Sequence, residues 1–167
     1  MRHTYVVVWG EKAPASGARW EEIDIEAAIW TIPKHRMKKR REHSVPLTAQ
    51  TLAILNYIGP LSSHREYIFP ADRNPRLHTN NATVNMALRR MVYQGKLVSH
   101  GLRSLASTTL NEQGFDADVV EAALAHVDSN SVRSAYNRAE YLERRRTLME
   151  WWSQHIEMAG SQRANQK

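Results

Sequence analysis

His100 and Arg103 are three residues apart and form an H-x-x-R pattern. This spacing places both side chains on one face of a helix, one turn apart. An imidazole can accept a proton near neutral pH, and a guanidinium can hold two oxygens of a phosphate group. The pair therefore suits chemistry on a phosphate ester, although a helix cap beside a surface arginine gives the same pattern.

A second histidine, His126, ends an apolar run, and Tyr136 follows it between Arg133 and Arg138. A phenol among cations is suited to attack a phosphodiester, because positive neighbours favour the phenolate and attract the substrate. The structural alternatives are a buried, hydrogen-bonded histidine and a core aromatic side chain. The two arginines would contact DNA in the functional interpretation.

A strongly basic segment spans residues 34–43, with six Lys or Arg side chains and one Glu. It separates two apolar runs with strand character, 29–32 and 44–47, which predicts a β-hairpin with a long connection. Such a connection can clamp a phosphate backbone, and one lysine in it can protonate a leaving oxygen. A solvated charge run is the alternative. The residues expected near its tip are Lys38, Lys39, Arg40 and Arg41.

Composition restricts the remaining functions. The 167 residues include 23 Lys or Arg against 17 Asp or Glu, a net charge of +6, and no Cys. The basic balance suits a polyanion partner, and the missing cysteines exclude disulfides, thiolate nucleophiles and Cys-ligated zinc. The chain has no H-E-x-x-H motif, Walker loop or usable pair of carboxylates, so we expect neither a metal nor a nucleotide cofactor.

The cellular location is predicted from the same features. No apolar run is long enough to span a membrane, since about 18 residues would be needed. The N-terminal residues are too polar and their apolar run too short for a signal peptide. We therefore expect a cytoplasmic protein with no membrane partner.

The elements that must position these residues follow from periodicity and capping signals. Besides the hairpin, a strand is expected at 4–9. A helix capped by Thr48 is expected to end at Gly59-Pro60, and Asp116 is expected to cap a later one. The predicted fold is α+β and mostly α: a small antiparallel sheet followed by a helical bundle. The other helices are predicted at about 81–94, with Val84, Leu88 and Met91 on one face, at 102–112 and at 139–155.

In this order, these features resemble the catalytic domain of tyrosine recombinases, and most of all the integrases of prophages and pathogenicity islands. The resemblance covers residues 18–156, leaving 1–17 unmatched and 157–167 as a polar tail. It implies the fold of that catalytic domain, incomplete at its N-terminus. The stretches that carry it are ARWEEIDIEAAIWTIP, KKRREHSVPL, AILNYIGPLS, YIFP, NATVNMALRRM, HGLRSLASTTLNEQGFDADVVEAALAHV and AYNRAEYLERRRTLMEWW.

The resemblance implies a role for each residue. Tyr136 would attack the scissile phosphate and form a 3′-phosphotyrosyl link, while Arg103 holds the non-bridging oxygens. His100 would assist proton transfer from the tyrosine, and His126 would hydrogen-bond the phosphate. Lys38 would be the general acid, with Lys39 as the fallback if the alignment shifts by one. The implied enzyme cuts and rejoins double-stranded DNA at an attachment-like site, as a homo-oligomer, without metal or nucleotide.

The sequence departs from the family at one catalytic position. The family has a further catalytic arginine shortly before the segment that matches Arg19-Trp20. Counting back places it at about position 11, where this sequence has Glu11 followed by Lys12. A lysine cannot reproduce the bidentate geometry of a guanidinium. The alternative hypothesis is therefore a catalytically impaired, DNA-binding remnant of a prophage integrase.

Overall fold

The structure is a computed structural model that describes residues 15–38, 40–124 and 138–164. Its described elements run from a small sheet into a set of helices, so the predicted α+β, mostly helical architecture is confirmed. The predicted strand at 4–9 lies outside the described residues.

Three short antiparallel strands form the sheet, in the order β1-β2-β3. They are β1 (Ile23–Asp24), β2 (Ile29–Ile32) and β3 (His43–Pro46). Trp30 is paired with Val45, and Ile32 with His43. Alternate residues of β2 are buried, as expected for a strand with one face against a core. The hairpin prediction is confirmed, with β3 one residue earlier than expected.

The described residues form five α-helices after the sheet, and two predicted caps are present. The Thr48 side chain accepts a hydrogen bond from the Thr51 backbone N–H at 3.3 Å, and the Asp116 side chain accepts one from the Asp118 N–H at 2.9 Å. Each cap satisfies a backbone donor that has no partner within the first turn. The helices are α1 (Ala49–Ser62), α2 (Thr83–Leu88), α3 (Ser99–Glu112), α4 (Ala117–Ala123) and α5 (Arg138–Ala164).

The predicted end of α1 at Gly59-Pro60 is wrong, because the helix continues through Pro60 to Ser62. Proline removes one intrahelical hydrogen bond, but the Ser63 backbone N–H still closes the last turn onto the Gly59 carbonyl at 2.8 Å. The Trp20 indole donates to the Ser62 carbonyl at 3.0 Å, and the Ser62 hydroxyl donates to the Ile68 carbonyl at 2.9 Å. Tertiary hydrogen bonds thus hold the end of the helix in place.

The predicted apolar face of the helix at 81–94 is also partly wrong. Leu88 is buried, whereas Val84 is 51% exposed and Met91 is 37% exposed. The α-helix ends at Leu88 and the chain continues as a π-helical turn over Arg89–Tyr93. A wider turn changes the angle between successive side chains, so the 3.6-residue periodicity does not extend across it.

The core lies where α5 packs against β3, α3 and α4. Trp152 is 4% exposed and belongs to this core, whereas Trp151 is half-buried. Helix α5 extends to Ala164, beyond the end predicted near His155. Residues contributed to this core by the sheet and helices include Trp30, Ile32, Val45, Ala106, Leu110, Val120, Leu148 and Trp152.

Among the described residues, none of the helices is both long enough and apolar enough to cross a membrane. In the same part of the chain, no group of three or more His, Cys, Asp or Glu side chains is arranged to hold a metal ion.

Candidate active site

The basic connection between β2 and β3 presents its cations to solvent. It begins with a 3-10 turn, Lys34–Arg36. Lys38, Arg40 and Arg41 are all exposed, and none forms an ion pair with a described carboxylate. The Arg40 backbone N–H donates to the Met37 carbonyl at 2.9 Å, which turns the chain back towards β3. Lys39 lies outside the described residues.

A buried ion pair anchors the base of this connection. Arg36 donates from Nη1 to the carboxylate of Glu22, and their side chains are only 13% and 4% exposed. The same carboxylate accepts hydrogen bonds from the Trp30 indole at 3.0 Å and the Arg19 backbone N–H at 3.2 Å. A buried carboxylate with this many donors is well compensated for its loss of water. The chain therefore leaves from a fixed point two residues before Lys38.

His100 and Arg103 are the second and fifth residues of α3. Helical geometry puts residues three apart on one face, as the sequence predicted. The N-cap is Val98, with no side-chain capping bond, so His100 is not the helix cap. His100 is exposed, whereas Arg103 is half-buried and donates from Nη2 to the carbonyl of Leu124.

This hydrogen bond places Arg103 at the edge of the segment that carries the other predicted catalytic residues. Leu124 is the last described residue before Arg138, the first residue of α5. Besides Lys39, three predicted site residues lie outside the described part of the chain, and of Arg138 only the backbone is described. Their assignments stay predictions: His126, Arg133 and Tyr136.

Two basic residues that the sequence did not single out lie near Arg103. Arg145, on α5, is 8% exposed, and its Nε donates to the Tyr141 carbonyl at 3.3 Å. The Nε2 atom of His43, at the start of β3, is buried and has no hydrogen-bond partner among the described residues. Helix α5 packs against β3, so these side chains come from elements in contact.

The environment of His43 favours its neutral form. Burial, together with the positive charges of Arg145 and Arg103, lowers the pKa of His43 to about 4. Burial also lowers the pKa of Arg145 from its ordinary value. Two guanidinium groups, those of Arg145 and Arg103, thus act on the same buried imidazole.

The periodicity of the sequence indicates that His43 and Arg145 face the core. His43 lies two residues before the buried Val45, so strand alternation puts both on one face. Arg145 lies three residues before the buried Leu148 and seven before Trp152, a spacing that faces the core in a helix. Glu22 has no comparable signal, because it lies among other acidic residues and its partner Arg36 comes from the next hairpin.

Comparison with known proteins identifies relatives of most of the chain. The model of the phage integrase family matches residues 14–143. Prophage integrase IntA of Escherichia coli (strain K12) is 56% identical over 149 residues, which cover 89% of this chain and 36% of that protein. The integrase of Enterobacteria phage P4 is 36% identical over 157 residues, which cover 84% of this chain and 36% of that protein. The chain thus spans a little over a third of the length of these relatives.

Solved structures confirm the fold. The XerA recombinase matches with a TM-score of 0.60 and 16% identity, over 90% of this chain and 55% of that one. The integrase of mycobacterium phage Brujita matches with a TM-score of 0.59 and 22% identity, over 81% of this chain and 44% of that one. The predicted recombinase-type fold is therefore confirmed.

The pKa of His43 predicts a pH dependence of stability. Its folded value of about 4 lies below the ordinary 6.5, so the unfolded state binds more protons between these values. The contribution of His43 to the free energy of unfolding is therefore fully present above pH 6.5, and it is lost as the pH falls towards 4. This single group accounts for about 3 kcal/mol, since one pKa unit is about 1.4 kcal/mol.

Denaturant unfolding at several pH values, of the wild type and of His43→Gln, measures this contribution. The variant should lose less free energy of unfolding between pH 6.5 and 4 than the wild type. Protonation of carboxylates affects both proteins equally, so it does not contribute to the difference. A matched variant of an exposed histidine, His64→Gln, should keep the wild-type slope. Equal slopes in His43→Gln and the wild type would contradict the assignment.

Proposed function

We propose that this chain, which belongs to the phage integrase family, is the catalytic part of a site-specific DNA recombinase. The observation that carries the proposal is the position of Arg103 near the N-terminus of α3. It is bonded to the Leu124 carbonyl, just before the segment that contains His126 and Tyr136. We infer that it acts in the cytoplasm, as a homo-oligomer, on double-stranded DNA of attachment-site type.

The proposed cleavage step is a transesterification at phosphorus. The Tyr136 phenolic oxygen bonds to the scissile phosphorus while the bond from phosphorus to the 5′-oxygen breaks. His100 accepts the phenolic proton, and Lys38 donates a proton to the departing 5′-oxygen. The products are a 3′-phosphotyrosyl link and a free 5′-hydroxyl. Rejoining is the reverse reaction with a second 5′-hydroxyl, so the exchange needs no external energy source.

Positive charge stabilises the transition state of this step. Negative charge builds on the non-bridging oxygens, and fixed donors aimed at them lower the barrier. Arg103 supplies such donors, and His126 adds a hydrogen bond. The exposed cations Arg40 and Arg41 contact the DNA backbone next to Lys38. Lys39, Arg133 and Arg138 extend this DNA contact.

A second candidate function is favoured by one sequence observation. Glu11 stands at about the position where the family has another catalytic arginine. Loss of one donor to the developing charge typically costs a factor of about 10² or more in rate. A chain that binds DNA through the basic connection but turns over slowly would be an impaired remnant of an integrase.

Replacing the nucleophile tests the main proposal. In a duplex nicked close to the cleavage position, the short fragment that carries the new 5′-hydroxyl diffuses away. Rejoining is then prevented, and the covalent intermediate is trapped. Tyr136→Phe should abolish the adduct that survives denaturation, because phenylalanine has no oxygen to bond to phosphorus. Tyr141→Phe is the matched control: Tyr141 lies on α5, and it should keep the adduct. An unchanged adduct yield in Tyr136→Phe would refute the assignment of the nucleophile.

The salt dependence of DNA binding tests the basic connection. Each phosphate contact contributes about 0.9 to the slope of log K against log salt concentration. Arg40→Gln/Arg41→Gln should therefore lower the slope by about 2. The exposed pair Arg65 and Arg73, changed to Gln in the same way, removes the same charge elsewhere. An unchanged slope in the first variant, or equal decreases in both, would show that the connection does not clamp DNA.

A further inference from the structure

Three basic side chains from three different elements lie together beside the candidate active site. They are His43 of β3, Arg103 of α3 and Arg145 of α5, and the charges of both arginines act on the His43 ring. The pairing of β3 with β2 brings Ile32, which has no charge, opposite His43. The charged groups shown to act on His43 are therefore both cations.

The described residues provide no carboxylate for Arg145. Its guanidinium has five N–H donors, and the one hydrogen bond recorded for it goes from Nε to the Tyr141 carbonyl. No described Asp or Glu forms an ion pair with it, although the residue is only 8% exposed. Burial of a charge without a counter-ion is costly, and proteins normally pair such a group. The buried, unpartnered Nε2 of His43 adds a second polar group that lacks a partner.

An anion with several acceptor oxygens would satisfy both groups at once. A phosphate group has this property, and guanidinium groups bind it through parallel hydrogen bonds. The neutral imidazole can donate one more hydrogen bond when Nε2 carries the proton. We propose that Arg145 and His43 join Arg103 in binding one phosphate group, the scissile phosphodiester of DNA, with Arg145 supplying a second guanidinium. This inference rests on the proposed function.

The position of Arg145 along α5 is consistent with this role. Helix α5 starts at Arg138, two residues after Tyr136, and Arg145 lies seven residues further on, about 10 Å along the axis. Arg103 is bonded to Leu124 at the other end of the segment 125–137. Both ends of the segment that carries the proposed nucleophile thus lead to the same basic cluster. A second guanidinium here would also offset the arginine that is missing at about position 11.

A purely structural role for Arg145 makes a different prediction. In that case its replacement would change stability by the same amount with and without an anion. The test therefore measures the effect of phosphate within each variant, so that any change in intrinsic stability cancels.

The first experiment is a thermal unfolding titration of the full chain at pH 7 with inorganic phosphate, against sodium chloride at equal ionic strength. Phosphate should stabilise the wild type, and Arg145→Gln and His43→Leu should bind it about tenfold or more weakly, because the first loses the parallel donors of the guanidinium and the second loses the imidazole donor. Arg146→Gln is the matched control, since its side chain is 27% exposed and next in sequence, and it should bind like the wild type. Equal phosphate stabilisation in Arg145→Gln and the wild type would overturn the inference.

A second variant keeps the test decisive if Arg145→Gln does not fold. Arg145→Lys retains the charge but not the two parallel donors of a guanidinium. It should bind phosphate more weakly than the wild type and more tightly than a neutral variant. Phosphate binding as tight as that of the wild type would overturn the role of the guanidinium.

Covalent trapping on nicked duplex DNA separates this inference from the proposed function. Arg145→Gln should form the adduct about 10²-fold more slowly than the wild type. An adduct rate within twofold of the wild type would overturn the assignment to the scissile phosphodiester, even if inorganic phosphate binding is lost. Loss of phosphate binding in the variant, with no adduct from either protein, would support the anion site and count against the recombinase.

Discussion

The buried ion pair between Glu22 and Arg36 is the interaction on which the position of the basic connection depends. Glu22 gathers three donors from separate parts of the chain: the Arg36 guanidinium, the Trp30 indole and the Arg19 backbone N–H. Loss of any of them would leave a buried charge undercompensated, and such losses are expensive. The sheet and the base of the connection are therefore held together by one carboxylate, while Lys38 beyond it stays exposed.

The buried charges at Glu22 and at Arg145 are compensated in different ways. At Glu22 a buried cation has its counter-ion, so the local structure is complete without a ligand. At Arg145 and His43 the buried basic groups have no described carboxylate, and Arg103 adds a further positive charge. The first arrangement stabilises the fold, and the second is suited to an anion brought by a substrate.

Local patterns predicted much of the fold. Strand β2, the Thr48 and Asp116 caps and the buried Trp152 follow from alternation, capping chemistry and helical spacing. The continuation of α1 past Pro60 was not predicted, and its end is held by a hydrogen bond from the Trp20 indole to the Ser62 carbonyl, 42 residues away along the chain. Long-range interactions of this kind are not encoded in any short window of sequence.

The candidate site was predictable to a different extent. The H-x-x-R spacing and the family resemblance placed His100 and Arg103 on one helical turn, and the structure confirms that placement. Arg145 and His43 were missed, since a charged residue in an inward position is normally unfavourable and its burial depends on what surrounds it.

Covalent trapping of the native chain beside Glu11→Arg tests the central claim most directly. The substrate is a duplex that spans the junction beside the gene for this protein, with a nick close to the candidate cleavage position. Our account predicts an adduct from the native chain, because Arg103 and Arg145 together supply two guanidiniums to the phosphate. Glu11→Arg should increase the yield without being required for it. An adduct from Glu11→Arg alone would contradict the account and identify the native chain as an impaired remnant.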